Sequence, residues 1–376
     1  MLSVDVIDQK QEELFKEGRY TEAVSYALQA VESRESSLNP KDPELASSLK
    51  RLADLYRILG EFERAEPVYQ RSLNIYRESL GPNDPKVGAA LNGLALLYYQ
   101  RSEYDRAETR FYKVLKIFEK AFGPADPNRS AVINNLARLY EAKGAYPQAK
   151  NLYTRNLELL TQSLGPDHPS VGASLNNLAL LYHHIGNYVR VEPLYKRAMA
   201  IYEKASMTHH PDFATTLANL ADFYLDLGEF EKAEPLLLRS LDIREKSMGI
   251  RHPAVADSLD SLARLYKDVG QYRKAASMVQ RALKIRKRTF GLKHPKVADS
   301  LETMASLYKD IGQYEKADVL LLRSLKIREN ALGEEHPDVA KSLNQLAELY
   351  EDTGDYDRAE TMYYSALKIM KKNSGP

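Results

Sequence analysis

Histidine is the residue type in this chain whose placement first suggests chemistry. Five of the eight histidines stand directly before a proline: His168, His210, His252, His294 and His336. A metal site needs its ligands within a few ångströms of one ion. These five are 42 residues apart, and one layer of packed helices already adds about 8–10 Å. The pattern therefore indicates that each histidine caps a helix that its proline begins.

Other signatures of enzyme chemistry are missing from the sequence. It has no cysteine, which excludes disulfides, thiolate metal sites and cysteine nucleophiles. It has no phosphate-binding loop and no Gly-x-Ser-x-Gly nucleophile motif. Only His183, His184 and His209 fall outside the His-Pro pattern, and no carboxylate or third histidine recurs beside them at ligand spacing. We therefore predict a protein that is not an enzyme and has no catalytic residue, metal or cofactor.

The elements that position these residues follow from a turn residue that recurs every 42 residues. Glycine occupies eight of its nine sites, and Ser102 occupies the ninth. Before each turn lies an apolar stripe at helical spacing, and a second stripe follows the turn. In the unit formed by residues 169–210, the first stripe is Leu175, Leu178, Ala179, Leu181 and Tyr182, and the second is Leu194, Tyr195, Ala198, Met199 and Ile201. An exact repeat of this kind predicts an all-α solenoid of helical hairpins, each packing only on its neighbours.

A tyrosine column runs through the repeats four residues before the turn. Its members are Tyr56, Tyr98, Tyr140, Tyr182, Tyr224, Tyr266, Tyr308 and Tyr350. A row of tyrosines could stack on nucleic-acid bases. Because this row lies at core spacing beside leucine and alanine columns, we interpret it as packing.

These motifs resemble those of a known family. The pattern Leu-x-x-Leu-Ala-x-x-Tyr, followed by Gly-x-Tyr and Ala, is similar to tetratricopeptide repeats. The phrases Leu164-Gly-Pro-Asp-His-Pro169, Leu175-Asn-Asn-Leu-Ala179 and Ala233-Glu-Pro-Leu-Leu237 resemble the kinesin light chain subtype. The resemblance covers essentially the whole chain. It implies a right-handed superhelical solenoid of antiparallel helix hairpins, whose first helices line a concave groove that binds extended peptides or partner proteins.

We divide the chain into residues 1–42, a degenerate capping repeat, and residues 43–376, eight 42-residue units of one continuous solenoid. Lys10 and Gln11 replace the leucine and alanine of the other units, which suits a polar cap. The last helix carries Tyr363, Leu367, Ile369 and Met370 and is followed by a short polar end. We expect this edge to be a truncation, to meet a partner or to self-associate.

The candidate peptide-binding residues lie on the first helices, mainly ten and nine residues before the turn. Asparagine recurs there, and its carboxamide offers the donor and the acceptor that an extended peptide backbone needs. The resemblance implies this role for Asn92, Asn134, Asn135, Asn176, Asn177 and Asn219. The N-terminal part of the groove adds the cations Lys50, Arg51, Arg57 and Arg138. The alternative is that these side chains only bind water or brace neighbouring helices.

Charge bears on the class of partner. The chain has 53 basic and 52 acidic residues and a net charge of +1, so no overall field draws it to nucleic acid or an anionic membrane. Acidic residues gather at the C-terminal end of the groove, which would complement a basic segment. The run from Arg281 to Lys293 has six cations and no acid. It could dock an acidic partner or RNA, but we favour a solvated outer face.

The function that we predict is a protein-interaction scaffold that binds a peptide or partner protein in its groove. The start of the chain has no signal-peptide pattern, and we expect a soluble, cytoplasmic protein. Two alternatives stay open. One is a regulatory or sensor module cut from a larger bacterial effector of the protease or nucleotide-switch type. The other is an architectural spacer that self-associates through its C-terminal edge.

Overall fold

The computed structural model describes residues 3–123 and 126–373, and within them it contains eighteen α-helices and no strand. This confirms the all-α fold. The expectations for residues 374–376 lie outside the described residues. The helices are α1 (Val4–Lys16), α2 (Tyr20–Ser37), α3 (Pro43–Ile58), α4 (Phe62–Leu80), α5 (Pro85–Gln100), α6 (Tyr104–Phe122), α7 (Pro127–Ala142), α8 (Tyr146–Leu164), α9 (Pro169–His184), α10 (Tyr188–Lys204), α11 (Pro211–Asp226), α12 (Phe230–Met248), α13 (Pro253–Asp268), α14 (Tyr272–Phe290), α15 (Pro295–Asp310), α16 (Tyr314–Leu332), α17 (Pro337–Asp352) and α18 (Tyr356–Asn373).

The odd-numbered helices from α3 onward begin at the repeated proline, and the residue before it is the N-cap. The side chain of Asp126 accepts a hydrogen bond from the backbone N–H two residues later at 2.8 Å, and Nδ1 of His168 does the same at 3.2 Å. The same bond recurs at Asp42, Asp84, His210, His252, His294 and His336. The capping role predicted for the histidines is confirmed.

A left-handed turn residue ends each odd-numbered helix. Gly186 has φ +74°, and Ser102, which replaces glycine in the series, has φ +59°. The turn is closed by a hydrogen bond from the N–H of Asn187 to the carbonyl oxygen of Tyr182 at 2.8 Å. This 6→1 bond satisfies a carbonyl at the helix end, so the chain reverses within three residues.

Consecutive helices pack on one another from α4 to α12 and, in the second unit, from α13 to α18. Leu178 is only 5% exposed and Ala179 is fully buried, as their columns predicted. The tyrosine column is also part of this packing: the guanidinium carbon of Arg106 lies 3.8 Å from the ring centroid of the buried Tyr98. Equivalent cations cover Tyr56, Tyr182, Tyr224, Tyr266, Tyr308 and Tyr350. These contacts support the interpretation of the tyrosines as packing residues.

The two end helices differ in what they bury. α1 buries Ile7 and Leu14 together with the polar Gln11, and Lys10 pairs with Glu13 at 3.0 Å on its exposed side. α18 buries only Ala359 and Ala366 and exposes large side chains. The exposed ones are Tyr356, Tyr363, Tyr364, Leu367 and Met370.

The described residues group into two compact units. The first contains residues up to Leu14, then Glu22–Arg57 and Phe62–Met248. The second contains Phe15–Thr21, Ile58–Glu61 and the residues from Gly249 onward. The single continuous array expected from the repeat stays a prediction.

Residues 15–21, which belong to the second unit, contact the C-terminal end of α14. The rings of Tyr20 and Phe290 lie 5.9 Å apart. The hydroxyl of Thr21 donates to the carbonyl oxygen of Thr289 at 3.2 Å. These contacts join residues separated by more than half of the chain, which the 42-residue pattern does not reveal.

Candidate functional site

The face on which the first helices of successive hairpins meet carries the predicted asparagines. α5, α7, α9 and α11 contact one another in succession. Across the α9–α11 junction, Nδ2 of Asn219 donates to Oδ1 of Asn176 at 3.0 Å, a separation of 43 residues. Nδ2 of Asn176 in turn donates to Oδ1 of Asn177 at 3.4 Å. The structure thus brings three predicted residues together in one hydrogen-bonded row.

Asn92 and Asn134 occupy the same position as Asn176 on α5 and α7, but their amide oxygens are not satisfied. Oδ1 of each is screened from solvent and has no hydrogen-bond partner among the described residues. Both side chains remain partly exposed, as does Asn135 beside them. The row therefore contains unused hydrogen-bonding capacity at α5 and α7.

The residue of the second helix 26 positions after this one differs between the hairpins. In α2, α14 and α16 an arginine from the second helix reaches the first helix of its own hairpin. Arg34 bonds Asp8 at 2.7 Å, Arg328 bonds Glu302 at 2.6 Å, and Arg286 bonds Asp260. The equivalent residues for Asn92, Asn134 and Asn176 are Phe118, Leu160 and Tyr202. In these hairpins an asparagine stands where the second helix supplies no cation, and an acid where it does. Arg244 of α12 departs from this correspondence, because the equivalent residue of α11 is Ala218.

Two of the predicted groove cations are neutralised within the protein. Lys50 Nζ lies 2.7 Å from the Asp54 carboxylate, and Arg51 lies 2.8 Å from Asp8. Their charge is therefore much less available to a partner than the sequence suggested.

The guanidinium of Arg57 is hydrogen-bonded within the protein. It donates to the hydroxyl of Tyr69 at 3.2 Å and to Oε1 of Gln100 at 3.3 Å. Tyr69 itself donates to Asp54. Burial lowers the pKa of the Arg57 guanidinium, but Tyr69 and Asp54 outweigh burial, so the pKa is raised. The arginine stays charged and holds the edge of α3 against α5.

Arg138 is the predicted cation that stays accessible. It is exposed, makes no ion pair with a described residue, and lies 6.0 Å from the ring centroid of Tyr99. It stands on α7 beside the asparagine row, so its charge is available to a ligand there.

A second row of contacts across the first helices was missed from the sequence. Each contact joins the residue three positions before one turn residue to the residue two positions before the next turn residue. The two partners are again 43 residues apart. Glu141 meets His184 at 2.9 Å, and His183 meets Asp226 at 2.7 Å. Lys267–Asp310 and Lys309–Asp352 repeat it at 3.6 and 2.9 Å. Comparing the two columns at an offset of 43 residues would have found this complementarity.

The acidic end expected in the groove is largely cancelled inside the second unit. Asp257 and Asp260 both bind Arg286, which is only 3% exposed although the sequence placed it on the outer face. Asp299 and Glu302 both bind Arg328. The expectation of a free acidic stretch was wrong at these four residues, because each second helix turns an arginine inward. Within the described ranges, no three His, Cys, Asp or Glu side chains converge in a way that could hold a metal ion.

Seven stretches match the sequence pattern described as tetratricopeptide repeat: residues 14–78, 52–120, 86–155, 128–204, 212–288, 267–330 and 296–372. The chain belongs to the tetratricopeptide repeat family. Together these stretches cover nearly all of it, as the motifs predicted, and the family supports a protein-interaction scaffold.

Two of the solved structures that are similar to this chain match a little over half of it. BtubC (BKLC) from P. vanneervenii is 23% identical, with 62% of this chain and 93% of that chain covered and a TM-score of 0.49. A putative kinesin light chain from Podosopora anserina with nearly identical TPR-like repeats is 28% identical, with 56% and 99% covered and a TM-score of 0.45.

Rap protein complexed with Competence and Sporulation Factor is 14% identical, with 99% of this chain and 98% of that chain covered and a TM-score of 0.63. This likeness is one of fold. Among curated proteins, none matches the chain significantly.

Proposed function

We propose that this repeat protein is a non-enzymatic scaffold that binds an extended peptide, or a partner protein through such a segment, on the asparagine face of α5, α7, α9 and α11. The observation that carries the proposal is the pair of unpartnered amide oxygens on Asn92 and Asn134. They lie at equivalent positions of adjacent hairpins, beside the bonded row of Asn176, Asn177 and Asn219.

An unsatisfied buried carbonyl costs about 1–3 kcal/mol. Rotation of the asparagine amide toward a ligand N–H relieves that cost, and the amide nitrogen can meet a ligand carbonyl. Neighbouring packed helices are about 8–10 Å apart, which corresponds to about three residues of extended chain. We therefore expect one asparagine contact for about every third residue of the peptide.

Side chains around the row indicate the composition of the peptide. Leu96 and Leu180 are partly exposed six residues before their turns, and the exposed Arg138 occupies the same position between them. This order favours a segment with an acidic residue flanked by apolar ones. The paired Lys50, Arg51 and Arg57 contribute less than Arg138, because their charges are already engaged.

The test uses an Asn92→Ala, Asn134→Ala variant beside an Asn74→Ala, Asn151→Ala control on exposed positions of α4 and α8. Affinity capture from a lysate, followed by crosslinking mass spectrometry, should show a partner that wild type and control retain and the groove variant loses. Its crosslinks should map to α5–α11. Equal capture by all three proteins, with crosslinks elsewhere, would disprove groove binding.

A second candidate is self-association through α18, favoured by its exposed Tyr364, Leu367 and Met370. Light scattering should then show a mass that rises with concentration and returns to that of one chain in a Leu367→Glu, Met370→Glu variant. A constant single-chain mass at high concentration would exclude it.

Location and activity complete the proposal. Among the described helices, none combines the length and apolarity needed to cross a lipid bilayer. We keep the cytoplasm as the predicted location and infer that binding, rather than turnover, is the activity of this chain.

A further inference from the structure

The second helix of the seventh hairpin, α14, differs in charge from every other second helix. It carries seven cations and no acid between Tyr272 and Phe290. Each of the other even-numbered helices, α2 to α12, α16 and α18, contains at least one Asp or Glu. The imbalance is therefore particular to this helix and is not part of the repeat.

The cations of α14 do not all point the same way. Arg286 is buried and bonded to Asp257 and Asp260. Lys284, Lys287 and Arg288 face away from that core and, with Gln280 and Leu283, line an open depression of about 480 Å³. Leu283 packs on the cluster formed by Val297, Ala298, Leu301 and Ile327. The depression thus has an apolar base and a cationic rim.

The three rim cations lack the counterions that equivalent residues have. Lys326, the residue equivalent to Lys284, lies 3.4 Å from Glu329, and Lys246, equivalent to Arg288, lies 2.8 Å from Asp242. The side chains of Lys284, Lys287 and Arg288 make no ion pair or hydrogen bond with any residue that the structure describes. Three like charges are therefore held within one depression without internal compensation.

The helix dipole accounts for only part of this arrangement. Cations in the last turn of a helix gain about 0.3–1 kcal/mol each, which applies to Lys287 and Arg288. Lys284 lies a turn earlier, outside that range. The dipole also gives no reason for the lack of acids along the whole helix, since α12 combines a cation in its last turn, Lys246, with an internal counterion, Asp242.

We propose that this depression docks an acidic protein segment that carries about three closely spaced carboxylates and at least one apolar side chain. At 1.5 Å per residue, Gln280 to Arg288 spans about 12 Å, which matches two turns of a partner helix or about four extended residues. The carboxylates pair with the rim cations, and the apolar side chain contacts Leu283. This site is separate from the asparagine face and does not depend on peptide binding there.

Nucleic acid fits the depression less well. Duplex binding draws on many phosphate contacts along an extended basic surface, whereas this rim is about 12 Å long. Single strands are bound by stacking on aromatic side chains, and the lining residues include no aromatic. A short acidic peptide meets the charge and the apolar base together.

Fluorescence anisotropy with the full chain tests the proposal. The labelled peptide has six glutamates around a central leucine, and its control has six glutamines instead. A Lys284→Gln, Lys287→Gln, Arg288→Gln variant removes the rim charge. The matched control, Lys113→Gln, Lys116→Gln, Lys120→Gln, removes three exposed lysines from α6, a helix that also carries Asp105, Glu108 and Glu119. Circular dichroism verifies that both variants fold.

We expect the glutamate peptide to bind wild type and the α6 control alike, and at least about tenfold more weakly to the α14 variant. Binding should weaken with salt, and the glutamine peptide should not bind. The proposal is overturned if the two peptides bind wild type equally or not at all, a comparison that needs no variant. It is also overturned if the α14 variant binds as well as wild type, or if a single-stranded RNA binds the rim more tightly than the glutamate peptide.

Discussion

The imidazole of His294 bonds to the backbone of Ile58, a residue 236 positions earlier in the chain, within the second unit. Its Nε2 lies 3.0 Å from the carbonyl oxygen of Ile58, and its Nδ1 accepts from the N–H of Lys296 at 3.0 Å. Because a carbonyl can only accept, the proton is on Nε2 and the ring is neutral. The ring also stacks on Phe290 at 4.5 Å.

The burial of this imidazole should make the second unit sensitive to acid. Burial lowers the pKa of His294 from 6.5 to about 4. The unfolded chain therefore binds this proton more readily. The stabilisation is complete above the unfolded pKa of 6.5 and is lost as the pH falls toward 4. The loss should total about 3 kcal/mol.

Urea unfolding followed by circular dichroism from pH 7 to pH 4 measures this loss. His294→Asn keeps a capping side chain but cannot titrate, so its stability should depend less on pH. His210→Asn is the control, because His210 caps its helix in the same way. An unchanged pH dependence in His294→Asn would contradict the assignment.

Gly93 should not tolerate a side chain, although it lies inside a helix. A Cβ there would come 2.4 Å from Cε1 of Tyr69, which is fully buried. Overpacking of this kind costs about 1–3 kcal/mol, and the better helix propensity of alanine returns about 1 kcal/mol. We expect Gly93→Ala to lower the thermal midpoint. Gly172→Ala, whose nearest contact is 3.2 Å from Tyr202, should be clearly milder; equal effects would refute the close approach.

Arg328 neutralises a nearly buried acid, Glu302, which also accepts hydrogen bonds from Ser324 and Ser342, each at 2.7 Å. Removing one partner of such a pair costs about 3–5 kcal/mol, because the other charge is left buried. Arg328→Met should therefore be strongly destabilising in urea. Adding Glu302→Leu should recover most of the loss. The exposed Arg323→Met serves as the control, and a double variant no more stable than the single one would refute the pairing.

Ser102 adopts a backbone conformation that glycine occupies elsewhere in the series, with φ +59°. A non-glycine residue in this region costs about 1–2 kcal/mol. Ser102→Gly should therefore raise the thermal midpoint or leave it unchanged, because part of the gain is offset by the greater freedom of glycine in the unfolded chain. Ser206, with φ +57°, should respond in the same way. A clear loss of stability in both variants would show that the serine side chains matter more than the strain.

Leu178 tests the core of the repeat. It is 5% exposed, and truncation of a buried leucine to alanine costs about 2–5 kcal/mol. Leu178→Ala should lower the unfolding midpoint well beyond the effect of Leu180→Ala, at a partly exposed position on the same helix. Equal midpoints would place Leu178 outside the core.

Local structure was predictable because its signals are local. The proline after each capping histidine was expected to open a helix, and α9 starts at Pro169. The left-handed turn at Ser102 followed from its place in the glycine series. The candidate binding residues stay a prediction, and the contacts of two of them were not foreseen: Lys50 and Arg51 were expected to be free cations and are engaged by Asp54 and Asp8.

The amino-acid sequence by itself determined the repeat, the helix boundaries, the caps and the buried columns, because each depends on a proline, a glycine or a helical period within one 42-residue unit. Only the tertiary structure decided which side chains keep their hydrogen-bonding capacity and charge. Arg286 turns inward while Lys284 stays exposed two residues away. Asn176 is bonded while Asn134 is not. These outcomes, like the hydrogen bond of His294, depend on contacts between residues that lie 26, 43 or 236 positions apart in the chain. The spacing of residues within one helix defines which of them share a face, but it does not define which residues of other helices contact that face.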